Sequence, residues 1–282
     1  MRHTTSAKPS SPVSDSGFLS VSQFLDSAPG RLLLEWEENV FQTLTADVFG
    51  TTALQIGMPE LHTLSANHIR SQWLLEAPTE LPSVPPPPQL GRIAGLPEFL
   101  PIADESLDLI TLPHALDFSA CPQQALREAV RVLEPEGRIV LTGFNPLSHW
   151  WLRQQAVCLG ARPYLPSRMN PVPLTRLKDW FSLLGLEIDR GIFGLYRPAF
   201  RSEKRLRTWQ WIDKAGDRWM PHLSNLIALS AVKRLTRPQV VNCNTFPTFK
   251  RSLATGSSVP AASVSSATTT PSPTQTHQRN PS

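Results

Sequence analysis

Cysteine is scarce in this chain: Cys121, Cys158 and Cys243 are the only three in 282 residues. An odd number with no C-x-x-C spacing argues against a disulfide frame or a thiolate zinc site. It reads instead as reduced thiols in a cytoplasmic protein. Charge is also thin, at 18% of residues, below the usual quarter or so. The net charge of +4 is too mild to imply nucleic acid as a partner. No run of eighteen apolar residues occurs, so no membrane span is expected. The first sixteen residues lack the apolar core of a secretory signal. Proline, in contrast, is plentiful at 28, and 40% of residues are hydrophobic. That mixture excludes a collagen, a coiled coil and a wholly disordered chain.

Three zones follow from composition. Residues 1–16 and 251–282 are dominated by Ser, Thr, Pro and Ala and are expected to be disordered, because they bury too little apolar surface to offset ordering. Residues 17–250 are expected to form one domain.

Within that domain Leu33, Trp36, Val40 and Leu44 share one helical face, with Glu35, Glu37 and Glu38 elsewhere on the wheel and Gly50 as the stop. The period then shortens. Thr51 to Ile56 reads as a buried strand ending at Gly57, and Pro59-Glu60-Leu61 as the start of a short helix. Gln72–Leu75 is a second strand. Four prolines, Pro85 to Pro88, favour an extended segment, and a weak strand follows at Arg92–Ala94.

Leu107–Leu112 is a strand, Pro122–Leu133 an amphipathic helix, and Arg138–Thr142 a strand. Asn145 is expected to cap a helix that opens at Pro146 and carries Trp150 and Trp151. A helix over Leu174–Leu184 is stopped by Gly185. Leu186–Asp189 and Asn225–Ala231 are the last strand candidates. The alternation predicts an α/β, Rossmann-like, mostly parallel sheet with helices on both faces, and places any ligand at the carboxyl ends of the strands.

Leu100-Pro101, then Asp104–Asp108 (DESLD) before one strand, and Arg131-Val132-Leu133, Pro135 and Gly137 before the next carry a resemblance. This stretch resembles the second half of a class I S-adenosylmethionine-dependent methyltransferase domain of the type 11 group. The Gly143-Phe144-Asn145-Pro146 after the Arg138–Thr142 strand resembles an uncharacterised bacterial branch of that group.

The resemblance implies S-adenosylmethionine as cofactor and a small-molecule acceptor, with no metal. The first half departs from the pattern. Gln55 stands in the acidic place of the first motif and Gly57 in its first glycine place, while Pro59 and Leu61 replace the second and third glycines. Those glycines would let backbone and a helix N-terminus approach the cofactor. Leu96 replaces the acid that faces the adenine.

Candidate site residues follow. Gly57 is the close-approach position. Glu76 can accept both ribose hydroxyls or be a solvated loop acid. Leu112, Pro113 and His114 form the loop where donor and acceptor meet in the family. His114 is the catalytic candidate, as a general base or acceptor-orienting group, or else a hydrogen-bonded strand-end histidine. Asp117 supplies a polar contact or caps a turn. His149 and Arg153, one turn apart, line an acceptor pocket or face water.

The segment Arg197–Arg237 is basic, with Trp209, Trp211 and Trp219 interleaved. It reads either as an RNA or anionic-lipid face or as a solvated insertion covering the sheet edge, with nucleic acid not expected. The functional reading is a cytoplasmic methyltransferase. Its alternative is a methyltransferase-like binding or scaffold module that has lost catalysis.

Overall fold

The computed structural model describes residues 20–77, 90–167 and 169–234. The expected ends at 1–16 and 251–282, the four prolines, the domain boundaries at 16 and 250, and Cys243 lie outside the described residues.

Seven strands form one sheet: β1 (Thr52–Ile56), β2 (Ser71–Glu76), β3 (Leu90–Ala94), β4 (Leu107–Pro113), β5 (Leu133–Phe144), β6 (Leu186–Gly194) and β7 (Leu226–Lys233). Their order is β3-β2-β1-β4-β5-β7-β6. Pairs β3–β2, β2–β1, β1–β4 and β4–β5 are parallel. Only β7, inserted between β5 and β6, runs antiparallel to its neighbours. The strand order reverses between β1 and β4. The loops after those two strands leave in opposite directions there and open a crevice.

The helices are α1 (Val21–Leu25), α2 (Ala28–Thr45), α3 (Ala115–Phe118), α4 (Pro122–Val132), α5 (His149–Gln155), α6 (Leu174–Leu183), α7 (Glu203–Thr208) and α8 (Trp211–Trp219). Strand side chains alternate between the two faces. Ile139 and Leu141 of β5 join Leu126 and Ala129 of α4 and Leu177 and Phe181 of α6 in one core. Val140 of β5 joins Leu33, Phe41 and Leu44 of α2 in the other. Thr142 is two residues beyond Val140 and so also faces α2. Gly185, at φ +73°, ends α6 as a left-handed stop.

Several local expectations are corrected. No helix starts at Pro59; residues 58–66 form successive turns. Asn145 does not cap a helix. Ser148 is the N-cap of α5, its hydroxyl accepting from Trp151 N at 3.2 Å. The Asn145 carboxamide instead donates to the carbonyls of His222 (2.8 Å) and Ser224 (2.9 Å), tying the end of β5 to the start of β7. The first long helix ends at Thr45 rather than Gly50. β6 runs five residues past Asp189, because β7 supplies ladder partners as far as Gly194.

Glu37 is the largest departure. It lies inside the apolar stripe of α2, four residues after Leu33 and three before Val40, and is fully buried.

Candidate active site

A cavity of about 700 Å³ opens at the carboxyl ends of β1, β2, β3 and β4. Its floor includes Gly57 and Glu76, its sides Leu96 and Glu98, and its far wall Pro113, Ala115 and Phe118; the start of α1 closes one edge.

Gly57 has φ +79°, and a Cβ added there would project into open space. The conformation suits glycine, and the bare backbone is the cradle a closely approaching ligand needs. Glu76 closes β2 with its carboxylate 3.5 Å from the Arg92 guanidinium.

The turn after β1 is built on one side chain. The Gln55 carboxamide nitrogen donates to the carbonyls of Met58 (2.8 Å), Leu61 (2.8 Å) and Gly57 (3.1 Å). Its oxygen accepts from Thr63 Oγ1 (2.8 Å) and Thr63 N (3.3 Å). Thr63 Oγ1 also lies 2.6 Å from Thr111 Oγ1 of β4. A carboxylate in this place has no hydrogen to donate. Gln55 thus replaces the acidic residue of the related motif with a group that can gather carbonyls. Leu61, expected to crowd the ligand, is turned into the core and buried. Pro59 does reach the cavity wall.

On the other side of the crevice the chain turns sharply at His114, a non-glycine residue at φ +51°. Its side chain points under the wall, not into the cavity, and is 1% exposed. Nδ1 donates to Asp117 Oδ2 at 2.8 Å. Nε2 sits 3.1 Å from Glu37 Oε1, close enough for an ion pair but out of line for a hydrogen bond. The ring stacks on Phe144 with centroids 4.3 Å apart. Glu37 also accepts from Thr142 Oγ1, and Asp117 accepts from Phe144 N at 2.9 Å.

Burial alone pulls an imidazolium pKa down. The Glu37 charge close to the ring and the hydrogen bond to Asp117 outweigh that and raise His114 to about 10. Asp117 is raised, chiefly by burial, against the pull of His114. A protonated His114 is therefore the natural partner of these carboxylates. The catalytic role expected of His114 is corrected: it is a brace beneath the Pro113–Phe118 wall and touches no ligand space.

Of the other expected residues, Gly57, Glu76 and Pro113 line the cavity, whereas the Leu112 side chain is buried in the core. Arg153 lies over the Tyr164 ring at 4.7 Å and bonds Ala199 O, and His149 is half-buried with its pKa lowered by burial. Neither lines the cavity. Trp150 is a core residue.

Glu98 is a wall residue that sequence reasoning missed. One of its oxygens accepts from Ser119 Oγ (2.5 Å), Ala120 N (3.0 Å) and Cys121 N (3.3 Å). Burial pushes its pKa up, but these donors more than offset it and hold the carboxyl below its usual range. The signal was present in the sequence: an acid two residues before the Leu100-Pro101 motif.

Among the described residues no cluster of His, Cys, Asp and Glu could hold a metal. No helix among the described residues is long and apolar enough to cross a membrane.

Comparison with known proteins agrees with this geometry. A family model described as "Methyltransferase domain" matches residues 77–141. The chain is 42% identical over 97 residues to the uncharacterized protein YafS of Escherichia coli, covering 34% of this chain and 40% of that protein. It is 29% identical over 151 residues to a malonyl-[acyl-carrier protein] O-methyltransferase of Dechloromonas aromatica, covering 52% and 57%. The chain thus spans about half the length of these curated relatives.

Among solved structures, a chain from the complex of the Haloferax volcanii Trm112 methyltransferase activator with a methyltransferase superposes with TM-score 0.53 at 14% identity, covering 77% of this chain and 96% of that one. An S-adenosylmethionine-dependent methyltransferase of Thermotoga maritima superposes with TM-score 0.51 at 14% identity, covering 72% and 92%. In its sheet order the chain has the fold of these solved methyltransferases, and its central segment is similar to the methyltransferase domain family.

Proposed function

We propose that the protein is a cytoplasmic enzyme that transfers the methyl group of S-adenosylmethionine to a small-molecule acceptor. The observation that carries this reading is the crevice at the strand-order reversal, where a glycine with an open left-handed backbone and a carboxylate at the end of the next strand share one cavity. The volume and the donor set fit a nucleoside cofactor. Glu76 would accept the ribose hydroxyls, and Gly57 would allow close approach. Leu96 and Pro97 would offer an apolar flank to the base. When bound, the cofactor supplies an already activated methyl group, so the protein's task is alignment and exclusion of water.

The Pro113–Phe118 wall, held from behind by His114 and Asp117, provides a fixed apolar boundary for that task. Glu98 is ionised and keeps its second oxygen without a hydrogen-bond partner among the described residues. It would orient an acceptor that carries a hydroxyl, amine or other donor. The two exposed free thiols among the described residues, Cys121 and Cys158, support the cytoplasmic part of the reading.

Calorimetry with S-adenosylmethionine tests the proposal, and Glu76→Gln should weaken binding about tenfold without a change in unfolding midpoint. Hydrogen bonds to a charged group contribute about 1.5–3 kcal/mol. One observation favours the second reading, a non-catalytic module. The loop after β1 forms no helix, directs three carbonyls at Gln55, and offers no N–H at Pro59. Absence of any heat at millimolar cofactor would select that reading.

A further inference from the structure

The edge of the molecule built from α7, α8 and the turn that follows carries a combination the methyltransferase reading does not use. On α8, Trp211, Lys214 and Arg218 recur at three- and four-residue steps and all face outward. Trp219, Met220 and Leu223 continue the apolar strip. Trp211 is 64% exposed, Trp219 77% and Met220 55%. Large apolar side chains gathered on one exposed surface mark an interaction site far more often than single ones do.

On α7 the outward basic residues are Lys204, Arg205 and Arg207. Arg207 is paired with Glu203, and Arg205 lies over the Phe200 ring at 5.8 Å. Lys204, Lys214 and Arg218 have no acidic partner among the described residues. Of the acids on these two helices, Asp213 binds Arg197 at 2.6 Å and accepts from Tyr196 N, Glu203 holds Arg207 and Arg31, and Asp217 stands exposed beside Arg218, leaving the cations in excess.

We propose that this surface docks on an anionic lipid membrane. Short amphipathic helices with Lys and Arg beside exposed Trp and aliphatic side chains suit the headgroup boundary: the cations meet lipid phosphates, and the apolar side chains enter the acyl edge. Met220 and Leu223 favour lipid over RNA, because unstacked aliphatic groups gain nothing from bases or phosphates. The surface is also anchored to the body of the domain. Arg201 bonds Pro163 O, and Tyr164 Oη donates to Phe200 O at 3.3 Å, in the same loop that brings Ser167 to the cavity rim. Docking would therefore hold the cavity at a defined position near the membrane surface.

Co-sedimentation of the full chain with vesicles decides the matter. Vesicles of phosphatidylcholine alone are compared with a mixture containing anionic phosphatidylglycerol, at about 0.1 M salt, where screening acts over about 10 Å. Retention on the anionic vesicles at least tenfold above the neutral ones, falling steeply with salt, is the expected result. Replacing Lys204, Arg205, Lys214 and Arg218 together by Gln should cut retention by roughly six hundredfold, since each cation near such a surface contributes about fivefold.

A second variant, Trp211→Ala with Trp219→Ala, should lower retention on the anionic vesicles while leaving its salt dependence in place. All six positions are solvent-facing, and an unchanged unfolding midpoint verifies that the variants fold. No retention on anionic vesicles overturns the proposal. So does equal retention on both vesicle types, or capture by RNA in its place that disappears in the Gln variant. None of these readouts depends on methyl transfer or on S-adenosylmethionine binding.

Discussion

The two sides of the crevice are braced by different chemistry. Behind the β1 loop stands a neutral network in which the Gln55 carboxamide gathers three carbonyls and a threonine. Behind the β4 loop stands a charged one, Glu37–His114–Asp117, buried on all sides. A neutral amide loses little on leaving water if its partners are present. Buried ions lose far more, and only their mutual attraction and added hydrogen bonds restore it. The same job, holding a loop at a strand end, is therefore done robustly on one side and by a cluster that tolerates no missing member on the other.

The sharpest way to break this contrast is Glu37→Ala. It leaves His114 Nε2 without its counter-ion and Thr142 Oγ1 without its acceptor, and should cost about 3–5 kcal/mol of stability in denaturant unfolding. A loss below 1 kcal/mol or so would mean that His114 is neutral in the fold.

On the neutral side, Gln55→Glu restores the acid of the related motif yet should destabilise by about 1–3 kcal/mol. Three carbonyls lose their donor, and burying unsatisfied groups carries that cost. Cofactor affinity should fall with it. A variant that binds more tightly at unchanged stability would show that the carbonyls find other donors.

The smallest effect is a pH slope. His114 has its folded pKa raised from the ordinary 6.5 to about 10. Its contribution to stability is complete below pH 6.5 and is lost as pH rises toward 10. Asp117, also raised, acts in the same direction, but its contribution is complete only below its ordinary 3.8 and fades from there upward. Unfolding free energy should thus decline over that window more steeply in the native protein than in Glu37→Gln, where the main attraction on the imidazolium is gone. Equal slopes would remove the charged reading of the cluster.

How much was legible in advance differs between the same two regions. β4, α4 and the second half of β5 follow from local periodicity, because Ala125, Leu126, Ala129 and Val130 fall on one helical face and the runs Leu107–Leu112 and Arg138–Thr142 are apolar, whereas β5 already begins at Leu133 and includes Pro135 and Gly137. Glu76 and Gly57 were legible for the same reason, as strand ends. Glu37 was not, although its i+4 spacing from Leu33 was a visible signal. Charge argued for the solvent side, and only a counter-ion from another part of the chain reverses that preference.

Asn145 misled in a similar way. Asn and Ser are both good helix caps, and the carbonyls of His222 and Ser224 claimed the Asn, leaving the cap to Ser148.

The sequence by itself determined the alternation of strands and helices, the glycine at the first turn, the acid at the end of β2 and the basic, tryptophan-bearing segment. Each of these rests on interactions within a few residues, or on composition. Only the tertiary structure decided that Gln55 organises the first loop, that His114 faces inward and not toward ligand, and that β7 enters the sheet antiparallel between β5 and β6. Those outcomes depend on desolvation and on hydrogen-bond partners far away along the chain, and a buried polar group takes its position from whichever partner can satisfy it.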